Sequence, residues 1–249
     1  MISSLATVTF PHQTAKLVAI ESPTNLSKEV SDAYLPTGRP TIVVVGGAKL
    51  LSDADYQRVR QLFTGAIAPI AERFNAVVID GGTDAGVMRL MGQARAELGA
   101  SFPLIGVSPK RLATLPNQAP TCKDCAPLEP NHTHFFLVPG HEWGAESAWI
   151  AKIASAIAQD APSVTVLING GEVTWQDAEE NIKTGRSVIV ISETGRTADA
   201  LAAAVHGQPP HARAESLAQS GQVKLVALSE GSSALAHIIE ETLNRAYKA

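Results

Sequence analysis

Glycines recur just beyond the β-branched runs of this chain, where a backbone turn can hold a ligand. Gly46 and Gly47 follow run 41–45 (TIVVV), Gly81 and Gly82 follow 76–80 (AVVID), and Gly140 comes shortly after 134–138 (HFFLV). Gly170 and Gly171 come after 164–168 (VTVLI), and Gly195 stands four residues past 187–191 (SVIVI). A glycine turn between a strand and a helix lets the backbone approach a guest closely, and the helix start offers free N–H groups and a positive dipole end to an anion. Any one of these pairs is equally explained as a tight turn. Together they point to a phosphorylated small molecule. None forms a GxGxxG fingerprint, since 81–86 reads GGTDAG and 46–51 reads GGAKLL, which disfavours nicotinamide-dependent hydride transfer. Asp80 could hold a ribose hydroxyl, although an acid that ends a strand beside a turn is more often structural.

A second group has the donors of a metal site. Cys122, Cys125, His132 and His134 read C-x2-C-x6-H-x-H, four zinc-competent side chains within 13 residues. The spacing is shorter than in established zinc fingers and His134 begins a strand, so the favoured reading is no metal and a reduced CxxC pair in a mobile loop. His206, His211 and His237 fall on a predicted helix, a Pro-rich loop and the C-terminal helix, as solvated or hydrogen-bonded side chains. His141 lies nearer the glycine turns and is assigned no catalytic role, because no Ser or Cys nucleophile pairs with it.

The elements that must position these residues alternate. Strand-like runs at 41–45, 76–80, 103–107, 134–138, 164–168, 187–191 and 223–228 are continuously apolar, as expected of strands covered on both faces. Between them helical spacing appears at 52–74, 85–98, 145–159, 174–183, 197–206 and 232–247, with Ser52 and Asp55 opening the first and Pro69 expected to kink or end it early. The pattern predicts an α/β protein, Rossmann-like, with a mostly parallel sheet and helices on both faces. In such sheets ligands bind outside the carboxyl ends of the strands, the edge to which the glycines belong. Residues 6–10 and 16–20 read as an edge hairpin followed by a short helix near 26–34, and the irregular stretch 108–133 as a lid or binding loop. All of 1–249 is read as a single domain.

Composition excludes several classes. Apolar residues make up 45% and charged residues 18%, the balance of an ordinary globular chain. The 20 Lys and Arg against 24 Asp and Glu leave a net charge of −4, without the basic surplus that nucleic acid demands. No apolar run suggests a membrane span and the start lacks a signal peptide, so the expectation is a cytoplasmic protein. Aromatics are only 5%, so the core must rest on Ala, Val, Leu and Ile. Ala-rich helix faces at 151–158 and 200–204 suit internal packing or a homo-oligomer contact.

The motifs GGA at Gly46, GGTDAGVMRLMGQA at Gly81, IGVSP at Ile105, NHTHFFLV at Asn131, GAES at Gly144, VLINGG at Val166 and ETGRTADALA at Glu193 resemble the SLOG superfamily. The likeness is to its branch in the N-terminal region of TRPM cation channels, the LSDAT type, here as a stand-alone prokaryotic-type protein. The resemblance implies a Rossmann-like domain that binds nucleotide-derived ligands, ADP-ribose or NAD-related, as a sensor whose output goes to an effector encoded elsewhere, with no required cofactor. Carried over by position, it implies a ligand-binding set of Gly46, Gly47, Ala48, Gly81, Gly82, Thr83, Gly86, Val87, Pro109, Gly140, Trp143, Gly144, Glu146, Gly170, Gly171, Thr174, Thr194, Gly195 and Arg196. Arg196 would meet the pyrophosphate with its planar fork, against the plainer reading of a surface arginine paired with Asp199. Trp143 would stack on a base, or else pack under the long loop.

A related branch that cleaves nucleoside monophosphates carries PGGxGTxxE. Here the segment from Pro139 reads PGHEWGAE, keeping the Pro, a Gly, a later Gly and the acid but losing the GG pair and the Thr. Glu146 is therefore either a carboxylate that works at an N-glycosidic bond, in a phosphoribohydrolase or N-glycosidase, or the first-turn acid of a helix. The second reading is the favoured one, and the enzyme question stays open at this level.

Overall fold

The computed structural model describes residues 5–47 and 49–245. The strands β1 (Leu5–Thr9), β2 (Thr14–Ala19), β3 (Thr41–Gly46), β4 (Val77–Asp80), β5 (Leu104–Pro109), β8 (His134–Val138), β9 (Ser163–Ile168), β10 (Ser187–Ser192) and β11 (Val223–Ala227) make one sheet, ordered β1-β2-β8-β5-β4-β3-β9-β10-β11. Every pairing in it is parallel except the antiparallel β1–β2 edge hairpin. The small strands β6 (Ala113–Thr114) and β7 (Ala126–Pro127) pair with each other inside the stretch expected to be irregular.

The continuous apolar runs are explained by the pleat, because successive residues enter opposite cores. Val43 and Val45 of β3 join Val77 and Ile79 of β4 beneath α1 (Leu26–Asp32), α5 (Ser147–Ala158), α6 (Glu172–Lys183), α7 (Arg196–Val205) and α8 (Ala212–Gln219). Ile42 and Val44 join Val78 beneath α2 (Asp53–Leu62), α3 (Ala68–Arg73), α4 (Gly86–Leu98) and α9 (Gly231–Arg245). The alanines account for close helix approach: Ala151, Ala154 and Ala158 of α5, and Ala198 and Ala202 of α7, are buried within the chain.

Of the two outcomes expected at Pro69, the early end does not occur: the helix continues to Arg73 through a π turn at Phe63–Ile67. The Ala68 N–H bonds back to the Phe63 carbonyl, so the ladder has already slipped when Pro69 arrives, and its missing N–H interrupts no regular α bond. Helix α8, which the sequence pattern left unassigned, starts directly after the Pro-rich loop that carries His211; His211 caps it, its Nδ1 accepting from the Ala214 amide at 3.2 Å.

The chain progresses from β3 through β4 and β5 to β8, then returns across the sheet to place β9 on the other side of β3. This reversal opens a crevice at the carboxyl ends of β3 and its neighbours, the place such sheets use for ligands. The register there, Gly46 opposite Ile168, brings the turns after β3 and β9 together.

Candidate functional site

A cavity of about 320 Å3 occupies this crevice. Val44, Val45 and Gly46 of β3 form its floor, and Gly81 and Thr83 from the turn after β4 form one side. Three helix starts converge on it: Ala85, the N-cap residue of α4; Glu146, that of α5; and Val173 and Thr174 in the first turn of α6. Met88, Ile150 and Asp177 complete the helical walls, while Ala126 and Trp143 come from the loops above.

Among the described residues, two acids and no Lys, Arg or His line the cavity. Asp177 is buried and accepts a 2.6 Å hydrogen bond from the Ser147 hydroxyl. Burial pushes its carboxyl up to about 7, with neighbouring Glu146 adding to the rise and Ser147 opposing it. Glu146 accepts from the Gly144 amide at 2.8 Å, yet burial holds its carboxyl above the ordinary value. Two carboxylates that resist ionisation on one wall can accept from hydroxyl or amino groups, or hold and release a proton near neutrality.

Behind the cavity lies an ionic trio. His132 is fully buried, with Nε2 at 2.9 Å from Asp80 and Nδ1 at 2.8 Å from Glu129. Burial alone would lower its pKa, but the two carboxylates outweigh that and hold it at about 9. The imidazolium donates through both nitrogens. Asp80 also accepts from the Gly82 amide at 2.7 Å, and thereby fixes the turn whose Gly81 lines the cavity. Gly82 has φ +71, and a Cβ there would fall 2.6 Å from the Gly106 Cα, so this glycine serves close strand packing. The far end of the 108–133 loop is tied to the same turn through Glu129 N–H to the Gly82 carbonyl and Asp84 N–H to that of Pro127.

Of the residues the sequence nominated, Gly46, Gly81, Thr83, Trp143, Glu146 and Thr174 line the cavity. Gly47, Gly82, Gly144, Gly170 and Gly171 stand in the adjoining turns and Gly86 opens α4; Gly171 donates to the Thr174 hydroxyl, and Gly170 packs on the same side chain. Val87 is buried in the core beneath, and Gly140 packs against Pro109 and Ala145 rather than against the cavity. Ala48 lies outside the described residues. Thr194 is buried, its hydroxyl donating to the Ile191 carbonyl at 2.6 Å and accepting from the Asn169 amide. Gly195 N-caps α7, and exposed Arg196 lays its guanidinium against Gly171 at the start of α6, beside the cavity and not in its wall. No Arg196–Asp199 ion pair occurs among the described residues. Trp143 lines the cavity and is tied to the long loop, donating its indole N–H to the Asp124 carbonyl at 3.0 Å.

The Cys/His reading is corrected as well. Cys122 and Cys125 form a disulfide instead of a reduced pair, and both nitrogens of His132 are taken by carboxylates. His134 is held by Thr133, and burial, with Lys16 nearby, pushes its imidazole down to about 4. Among the described residues no cluster of three or more His, Cys, Asp or Glu side chains suits a metal ion. The residue that sequence reasoning missed is Asp177. Its signal was a polar stripe on α6, Thr174, Asp177 and Asn181 at helical spacing, all buried.

A family model described as "SLOG in TRPM, prokaryote" matches residues 39–237. The chain is 30% identical over 197 residues to transient receptor potential cation channel subfamily M member-like 2 of Nematostella vectensis, covering 64% of this chain and 13% of that protein. It is 24% identical over 201 residues to subfamily M member 2 of Mus musculus, covering 65% and 13%. The chain thus matches a small part of these channel proteins. No helix among its described residues is long and apolar enough to cross a membrane.

Proposed function

This chain belongs to the prokaryotic family of TRPM-type SLOG domains, and from that premise we propose that it binds a nucleotide-derived ligand, ADP-ribose or an NAD-related molecule, at the carboxyl edge of its sheet. The observation that carries this reading is the convergence of the Gly46 and Gly81 turns and the starts of α4, α5 and α6 on one cavity. The chemistry of the walls divides the ligand. With two carboxylates and no cation, the interior suits the uncharged nucleoside part, with ribose hydroxyls donating to Glu146 and Asp177 and Trp143 against the base. Phosphates belong at the rim, where helix N-termini and Arg196 offer positive charge.

A second reading has the specific support of the two acids. With Asp177 near neutrality and Glu146 also raised, one carboxyl can be protonated while the other is ionised. Such a pair could help water add at an anomeric carbon while the N-glycosidic bond breaks and the base leaves with a proton. One experiment separates the two readings: incubation with ADP-ribose, NAD and AMP, followed by thermal shift and product analysis. Binding predicts stabilisation with intact ligand, about 2.7 kcal/mol at 100 times Kd. Released base or ribose phosphate, abolished by Glu146→Gln, would establish hydrolysis; neither stabilisation nor product would remove both readings.

A further inference from the structure

The Cys122–Cys125 disulfide, with Cα atoms 5.2 Å apart, is not explained by the ligand cavity. We propose that this pair is a thiol–disulfide exchange site, with Cys122 the sulfur attacked by an incoming dithiol, and that its redox state sets the grip of the 108–133 loop on Trp143. This proposal does not rest on the nucleotide reading.

Access and charge single out Cys122. It is exposed, whereas Cys125 is partly buried. Cys122 lines a second cavity, of about 660 Å3, whose lining includes Lys110, Arg111 and His141 and, among the described residues, no carboxylate. Lys110 reaches Glu21 at 3.1 Å, while Arg111 and His141 have no side-chain partner among the described residues. The positive charges of Lys110 and Arg111 beside an open sulfur draw an approaching thiolate to the bond and stabilise the thiolate that is later released. Cys125 is equipped as the first leaving group. Its Sγ lies 3.5 Å from the Thr121 hydroxyl, which can donate to a departing thiolate, and 3.5 Å from the Arg111 carbonyl, which can accept from the thiol that follows.

The exchange balances with a dithiol as reductant. Its thiolate bonds to Cys122 Sγ, the Cys122–Cys125 bond breaks, and Cys125 leaves as a thiolate that takes a proton. The second thiol of the reductant then attacks its own sulfur in the mixed disulfide, and Cys122 leaves as a thiolate that is protonated in turn. Two electrons and two protons pass to the pair, and the reductant becomes a disulfide.

The consequence reaches the first cavity through one hydrogen bond. Asp124 stands between the two cysteines, and its carbonyl receives the Trp143 indole N–H. Ala126, next after Cys125, lines the same cavity and pairs with Ala113 through β6 and β7. The four-residue ring holds the Asp124 carbonyl in place; opening it returns conformational freedom to that turn.

The test equilibrates the whole chain in graded mixtures of reduced and oxidised dithiothreitol, traps thiols with a maleimide, and follows amide hydrogen exchange over 121–126. The expected result is a reversible two-electron titration in which reduction speeds exchange there by at least about tenfold and leaves β3 unchanged. Oxidised glutathione should add to Cys122 in Cys125→Ser at least about tenfold faster than to Cys125 in Cys122→Ser. A pair that stays bonded in excess dithiol, or stays reduced in excess disulfide, overturns the exchange site. Equal adduct rates overturn the role of Cys122, and unchanged loop exchange overturns the link to Trp143. The wild-type titration needs no variant to fold.

Discussion

Replacing Asp177 by Asn should stabilise the protein, and only at higher pH. The side chain is buried in the cavity wall, with its carboxyl raised from 3.8 to about 7, chiefly by burial. A raised acid holds a proton in the native state that the unfolded chain has already lost. Across the window from about pH 4 to pH 7 this group therefore makes stability fall as pH rises, and above pH 7 the full cost is present. A shift of about 3 units at about 1.4 kcal/mol each sets a ceiling of about 4 kcal/mol; water reaching the cavity lowers it, to about 2 kcal/mol. The amide keeps the shape and an oxygen for the Ser147 hydroxyl, so variant and wild type should be separated by a small constant near pH 4. The separation should then widen in favour of the variant up to pH 7 and remain level beyond. Urea melts of both proteins at matched pH are the assay, and taking their difference cancels titrating groups that do not interact with Asp177, His132 among them. A difference that is flat with pH, or that favours the wild type above pH 7, refutes the placement of a strained carboxyl in this wall.

The buried trio makes the opposite prediction, because the pKa of His132 is raised in a group that is charged when protonated: its contribution is full below 6.5 and is lost as pH climbs through about 9. His132→Gln should cost about 3 to 5 kcal/mol at pH 6.5, by leaving Asp80 and Glu129 without their cation, and urea midpoints at pH 6.5 and 9 should show this loss of stability in the wild type alone. Gly106→Ala should cost several-fold more in thermal stability than Gly185→Ala, at about 1 kcal/mol, since a Cβ at 106 meets the Gly82 backbone and Phe135 whereas one at 185 meets nothing within 4 Å. Trp143→Phe keeps an aromatic, if smaller, ring and loses the bond to the Asp124 carbonyl, so the stabilisation conferred by ADP-ribose should fall by about 1 kcal/mol in a thermal-shift titration.

The sheet was legible because burial on both faces writes itself as unbroken apolar runs, and β3, β4, β9 and β10 sit within a residue or so of where TIVVV, AVVID, VTVLI and SVIVI place them. Helix α8 was not, because ARAESLAQ buries only Ala214 and Leu217 and its cap is a histidine, outside the usual Ser, Thr, Asp and Asn set. The glycine edge was visible as a set, but a sequence does not say whether a glycine faces a guest or another strand. Gly81 lines the cavity while Gly82, its neighbour, packs on Gly106. Asp177 escaped because its pairing with Glu146 is set by two helices meeting across a crevice; the polar stripe on α6 marks the residue but not its partner.

That pairing also constrains the ligand. Two buried acids on one wall cost native stability, and the hydrogen bonds from Ser147 and Gly144 offset only part of it, since both carboxyls remain raised. A guest that donates hydrogen bonds to both lowers this cost on binding, whereas a phosphate pushed between them raises it. Affinity for a nucleoside part that donates to both should therefore rise as Asp177 ionises, and affinity for a phosphate at the rim should respond to Arg196, outside the wall. Arg196→Ala should then weaken ADP-ribose and leave adenosine nearly unchanged in parallel calorimetric titrations. Equal losses for the two would mean that the phosphates enter the acid-lined interior, and the division of the ligand between wall and rim would fail.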